Sequence, residues 1–403
     1  MQRVMIRLVV VVLLGGVASA QDAPKLDFDK VTASQWLTAP YSYWQQPYNF
    51  YYFRNMDEVP EQRVDRLPAS GHTFPLKPPS GTFEPTYMID GHTWSLDEYL
   101  EQRDVMAFVV LKDDQIVFEK YLHGAGPEDQ FISFSVGKSV TSVLFGVAMD
   151  EGKIDSVDDL VTKYIPDLAG TAYENVTLEN VLQMATGVRY NESYLEPDSD
   201  IHRVIGALMD GGETFHDIVR SLGTREPERA PGTAFDYQSI DTQVLTHVLE
   251  TATGTSLAAY AREKLWSKLG TEHDAFYFQS EKQTETCGFA CFNATARDYA
   301  RFSLMAMNRG ELGGTRIVSE QWMRDSTTAP AFADNYGYQW WLNRGSEDGA
   351  FRAVGIYGQT LYINPAKRVV IAQFSARPRP SGGGGGTGGA PTPFDAIAEK
   401  LTP

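Results

Sequence analysis

The stretch that most restricts the fold runs from Phe131 to about Glu151. An apolar lead-in, Phe131-Ile-Ser-Phe134, precedes Ser135-Val-Gly-Lys138, and apolar residues then recur at helical spacing to about Glu151. This pattern predicts a buried helix with Ser135 at its start. Residues i and i+3 share a helix face, which brings the Lys138 ammonium to the Ser135 hydroxyl. A serine hydroxyl is a poor nucleophile until its proton is removed. Lysine can remove it when burial and its neighbours lower the pKa, and a helix N-terminus favours the charge that then develops. Ser-x-x-Lys occurs once in the chain, and composition yields about one by chance. Taken alone, a helix-capping serine followed by a solvated lysine explains the pair equally well.

Two further segments bear on the same chemistry. In Phe235-Asp-Tyr237-Gln-Ser239, the tyrosine and second serine sit in a turn just before a helix that Asp241 is placed to cap. A phenol held there can pass a proton to a leaving group. In Gly355-Ile356-Tyr357-Gly358-Gln359-Thr360, within a strand pattern, glycines let a substrate lie against the backbone, and a backbone N–H can polarise a carbonyl. Singly, the first reads as a packed tyrosine and the second as a strand with two glycines.

Residues 1–20 carry Arg3 and Arg7, an apolar run from Leu8 to Val17 and then Ala18-Ser19-Ala20, the pattern of a cleaved secretory signal. The apolar run is short for a membrane span, so the chain is expected to be exported, to begin at Gln21 and to keep no stable span. Without Arg3 and Arg7 the formal charge of −17 becomes −19, which argues against nucleic acid as a partner and suits a small neutral or cationic substrate. Hydrophobic residues make up 42% of the chain and aromatic ones 12%, ample for a packed core. Cys287 and Cys291 are the only cysteines. They either close a small local bridge or stand apart as buried residues, and an i, i+4 pair on a helix suits a bridge poorly.

Residues 21–103, aromatic-rich around 41–53 and Pro-rich to Pro85, read as an irregular arm whose rings pack on the body. A hairpin turning at Lys112–Asp114 opens the main domain, 104–380. Helical patterns dominate about 155–300, and strand patterns return at 338–342, 351–363 and 369–374. Residues 381–389 read as a Gly-rich linker, and Phe394–Leu401 as a terminal helix docking back. Strands at both ends with helices between predict an α+β fold.

In this order and spacing, the three segments resemble the motifs of the serine β-lactamase and penicillin-binding superfamily: Ser-x-x-Lys, then Tyr-x-Asn or Tyr-x-Ser, then Lys-Thr-Gly or a variant. The resemblance covers about residues 100–375. It implies a β-lactamase/transpeptidase-like fold, an antiparallel sheet flanked by helices with an inserted, mostly helical subdomain. It also implies that Ser135 is acylated, that Lys138 and Tyr237 share the base and acid roles, and that Ser239 holds the lysine. Backbone N–H groups of Ser135 and of Gln359, next to Gly358, would form the oxyanion hole, or Ile356 would supply the second donor. Ile356 replaces the lysine that binds a substrate carboxylate in β-lactamases and D-alanyl-D-alanine peptidases, so strong β-lactam turnover is not expected. Tyr237-x-Ser239 instead resembles the branch of family VIII esterases and 6-aminohexanoate-dimer hydrolases. There a further tyrosine contacts the substrate amide, and Tyr194 is favoured over Tyr190 for that role.

A Ser-His-Asp site lacks support, since there is no Gly-x-Ser-x-Gly. No His-Glu-x-x-His or similar cluster marks a metal, and His123, His202 and His247 read as core or surface residues. The expectation is therefore a cofactor-independent serine hydrolase acting on small esters or linear amides. The alternatives are β-lactamase or D-alanyl-D-alanine peptidase activity, or a non-catalytic binder of cell-wall fragments.

Overall fold

β-Branched and aromatic runs near both ends of the chain come together as one six-stranded sheet. In spatial order its strands are Trp341–Leu342, Phe351–Gly355, Gln359–Asn364, Val369–Ser375, Val105–Lys112 and Gln115–Tyr121, every pair antiparallel. The computed structural model describes residues 44–89, 91–224, 227–343, 349–380 and 393–402. The expected signal peptide and Gly-rich linker lie outside the described residues.

Side chains alternate across a strand, and here both faces are buried. Phe108, Val110 and Ile371 face a layer formed by the Leu96–Gln102 and Phe394–Lys400 helices. Val109, Leu111, Val370 and Ala372 face the larger core, where the Ala296–Met307 helix lies against the sheet. Covering both faces explains why these strands read as nearly continuous apolar runs. Full burial of each such side chain contributes about 1.5–3 kcal/mol. The Phe394–Lys400 helix docks with Phe394 and Ile397 buried.

A second sheet, ordered Gln62–Leu67, Ala275–Ser280, Phe292–Thr295, Gln130–Ile132, borders a helical region in which the Gly137–Asp150 helix packs along the Ser239–Thr253 helix. The antiparallel sheet with flanking helices is the fold expected from the sequence.

Several local expectations are corrected. The stretch read as an irregular arm supplies an edge strand, Gln62–Leu67, paired throughout with Ala275–Ser280; Arg63 and Asp65 broke the apolar alternation that would have marked it. Its rings do pack on the body, Trp44 and Phe53 edge-on to Phe134 at 5.1 and 4.9 Å. The 351–363 pattern is a hairpin, not one strand: Tyr357 (φ 63°) and Gly358 (φ 99°) reverse the chain between Phe351–Gly355 and Gln359–Asn364. Asp241 does not cap the following helix, which starts at Ser239 with Asp241 in its first turn. Residues 288–290 form a turn rather than a helix, and Cys287 and Cys291 are joined as a disulfide with Cα atoms 5.7 Å apart.

Candidate active site

Ser135 lies in a single 3-10 turn, Phe134–Val136, that leads directly into the Gly137–Asp150 helix. Phe134 holds φ at 42°, a left-handed conformation that costs a non-glycine residue on the order of 1–3 kcal/mol. Packing imposes it, since the Phe134 ring is enclosed by Trp44, Phe53 and Tyr357. Gly355 closes the other side: a Cβ there would stand 2.7 Å from the Ser133 carbonyl oxygen and 3.1 Å from the Ser135 nitrogen. Only glycine lets the strand end approach the serine backbone so closely.

Lys138 extends from the first turn of the helix. Its Nζ donates to Ser135 Oγ at 2.9 Å, Ser239 Oγ at 3.0 Å and the Phe289 carbonyl at 3.2 Å, which occupies all three donors of an ammonium. Ser135 retains 9% exposure and Lys138 only 1%, so the serine borders an opening with the lysine sealed behind it. Burial lowers the Lys138 pKa to about 7, against the opposing pull of the Glu192 carboxylate.

Glu192 links the remaining groups. It accepts from the Ser239 N–H at 2.9 Å, from Ser239 Oγ at 2.6 Å and from the Tyr194 hydroxyl at 3.0 Å. Desolvation nevertheless raises its pKa, and Lys138, Ser239 and Tyr194 oppose that rise. The pair is thus pushed toward neutrality from both sides, lysine losing its proton more readily and glutamate holding its own. Tyr190 lies by the same carboxylate; its hydroxyl is pushed well above the usual value, first by burial and then by Glu192. Tyr237 faces both Ser135 and Lys138. Lys138 Nζ is 5.3 Å from its ring centre, and its hydroxyl pKa is raised by burial and by Glu192 while Ser135 acts against the rise. Its ring stacks on Trp341 at 5.4 Å and meets Tyr336 edge-on, forming an aromatic wall beside the serine.

The structure therefore brings together Ser135, Lys138, Tyr237, Ser239, Tyr194 and Tyr190. The third motif divides. Gly355 abuts the Ser135 nitrogen, and the adjoining Ile356 keeps the same 9% exposure as Ser135. The Gly358 carbonyl accepts from Gln373, and the Gln359 side-chain amide both donates to and accepts from the Ser375 backbone. Glu192 was not singled out from sequence, although a carboxylate flanked by Tyr190 and Tyr194 was the available signal. The Phe289 carbonyl, a backbone group brought in by the disulfide turn, carries no sequence signal.

Residues 95–387 match the beta-lactamase family model. A 6-aminohexanoate-dimer hydrolase of Paenarthrobacter ureafaciens is 31% identical over 364 residues, which cover 84% of this chain and 88% of that protein. Among solved structures, a Bacillus anthracis protein provisionally assigned as a 6-aminohexanoate-dimer hydrolase is similar with a TM-score of 0.76 and 25% identity, over 94% of this chain and 97% of that one. A family VIII carboxylesterase shares the fold, with a TM-score of 0.58 and 17% identity over 76% and 94% of the two chains. With the family match spanning most of the chain and a hydrolase homologue aligned along 84% of it, the chain belongs to the beta-lactamase family and is a serine hydrolase of that type.

Proposed function

We propose that this protein hydrolyses small esters or linear amides through an acyl-enzyme on Ser135. The observation that carries the reading is Lys138, sealed from solvent, hydrogen-bonded to Ser135 and Ser239, and shifted to a pKa of about 7. In its neutral form Lys138 takes the Ser135 proton as Oγ attacks the carbonyl carbon. Tyr237, whose raised pKa keeps it protonated at neutral pH, donates a proton to the departing nitrogen or oxygen and recovers one from Lys138. Water then attacks the acyl carbon with the same groups running in reverse, releasing the acid and restoring Ser135. The tetrahedral oxyanion is received by the backbone N–H groups of Ser135 and Ile356 rather than Gln359, a choice supported by the close approach of Gly355 to the serine nitrogen. Tyr194 contacts the substrate amide while its hydroxyl rests on Glu192.

A linear amide is favoured over a β-lactam, because Ile356 offers no cation for a β-lactam carboxylate and the 31% identical relative is a 6-aminohexanoate-dimer hydrolase. The chain is exported after cleavage near Ala20, a reading supported by the pattern of residues 1–20. No helix among the described residues is long and apolar enough to cross a membrane.

The test compares the protein with its Ser135→Ala variant on p-nitrophenyl butyrate and on a short linear amide, with mass spectrometry of the quenched reaction. Release of nitrophenol by the unmodified protein alone, with an acyl adduct on the peptide containing Ser135, is expected. Equal activity of the two proteins would sink the assignment of the nucleophile.

A further inference from the structure

Away from the serine, three side chains that no motif connects meet between the Phe215–Gly223 helix, the Ser239–Thr253 helix and the loop entering the Cys287–Cys291 disulfide. Ligand atoms of His216, His247 and Glu285 all lie within 4.8 Å of one another. His247 is only 6% exposed. Its Nε2 stands 3.0 Å from Glu285 Oε2, yet the approach is misdirected for a hydrogen bond, and neither ring nitrogen has a hydrogen-bond partner among the described residues. Leaving a buried polar group unpaired costs about 1–3 kcal/mol.

The surroundings are those of a metal-binding histidine. His216 Nε2 is hydrogen-bonded to Asp167 Oδ2 at 2.8 Å, a carboxylate that Arg220 also holds at 3.2 Å. A carboxylate on one ring nitrogen is the arrangement that orients a histidine for metal binding through the other. The His216 backbone N–H donates to Glu285 Oε2 at 3.3 Å and draws the carboxylate toward the same space. A simple ion pair between His247 and Glu285 accounts for their separation but not for the second imidazole, whose ring centre is 5.4 Å from that of His247.

We infer that His216, His247 and Glu285 bind a divalent transition-metal ion of the zinc class, with water as the fourth ligand. Two imidazole nitrogens and one carboxylate suit such an ion. At bond lengths of about 2.0–2.2 Å, tetrahedral ligand atoms stand roughly 3.3–3.6 Å apart, so small side-chain rotations close the site. The ion would tie the helix that begins at Ser239 to the loop that carries Phe289, whose carbonyl accepts from Lys138 and whose ring meets Phe215 edge-on at 5.8 Å. Its role is a cross-link behind the reaction centre, with no step of hydrolysis routed through it.

The test titrates chelator-stripped, untagged protein with Zn2+ by calorimetry and with Co2+ by visible absorption, and records melting with and without Zn2+. One equivalent bound, four-coordinate cobalt bands and a Zn2+-dependent rise in Tm are expected. His247→Ala and Glu285→Gln should each weaken binding at least tenfold, while His72→Ala, an exposed histidine, should bind as the parent does. Absence of stoichiometric binding, or binding that survives both substitutions, overturns the inference. Should His247→Ala fail to fold, the near-isosteric Glu285→Gln decides alone.

Discussion

The two ends of the polar face of the Ser239–Thr253 helix differ in one respect that separates their roles. At its start, Lys138 donates three hydrogen bonds and Glu192 accepts three. Two turns on, His247 is equally enclosed and has no hydrogen-bond partner among the described residues. A saturated network holds reacting groups at fixed separations and tunes their proton affinities before substrate arrives. An unsaturated one lowers its free energy by taking in something else. The difference teaches that burial of a titratable group does not by itself mark a reaction centre.

Several changes would break or sharpen this contrast. The largest effect is expected from Lys138→Met, which keeps the volume and removes the proposed base: turnover should fall at least about 10³-fold while the fold persists. Activity within tenfold of the parent would break the reading of a saturated catalytic end. Stability adds a signed check. Between about 7 and 10.5 the folded lysine is neutral and the unfolded one protonated, so Lys138 destabilises the fold increasingly as pH falls across that window and by a constant amount below it. The advantage of Lys138→Met in denaturant melts should therefore grow from pH 10 toward pH 7 and then level off.

Gly355→Ala tests whether close approach, rather than hydrogen bonding, places Ser135. The new methyl would meet the Ser133 carbonyl and the Ser135 nitrogen, so a stability loss of about 1–3 kcal/mol and a rate loss of about 10²-fold are expected from melting and kcat. An unchanged kcat would mean that the strand end does not position Ser135.

Glu192→Gln should have the smallest effect and the most specific signature. If neutral Lys138 is the base, as proposed, the rate should rise with pH through about 7. Glu192 supports the protonated form, and its loss should move that limb to lower pH by roughly one unit, with kcat changed less than about tenfold. A limb that stays in place would reduce Glu192 to a packing role.

Much of the reaction centre was legible in the chain because it is built from local spacing. Ser135 and Lys138 meet through the i, i+3 geometry of one helical turn, and Tyr237 and Ser239 are neighbours at a helix start. The third motif was legible only as a strand, since the pattern of alternating side chains does not reveal that Tyr357 and Gly358 reverse the chain. That reversal sends Gly355 to the serine and the Gln359 side chain to Ser375. The edge strand Gln62–Leu67 escaped for a related reason, because an edge position tolerates charged residues that hide a strand's period.

What the sequence determined by itself is thus the set of groups fixed by short-range geometry: Ser135 and its lysine, the tyrosine and serine of the second motif, and the apolar runs that had to become a sheet with helices around it. Only the tertiary structure decided which end of the last hairpin faces the serine, that Glu192 joins Ser239 to Tyr194, that the Phe289 carbonyl receives the third bond of Lys138, and that His216, His247 and Glu285 converge. These are contacts between segments far apart in the chain. Their free energy depends on packing across the core, which no local period encodes.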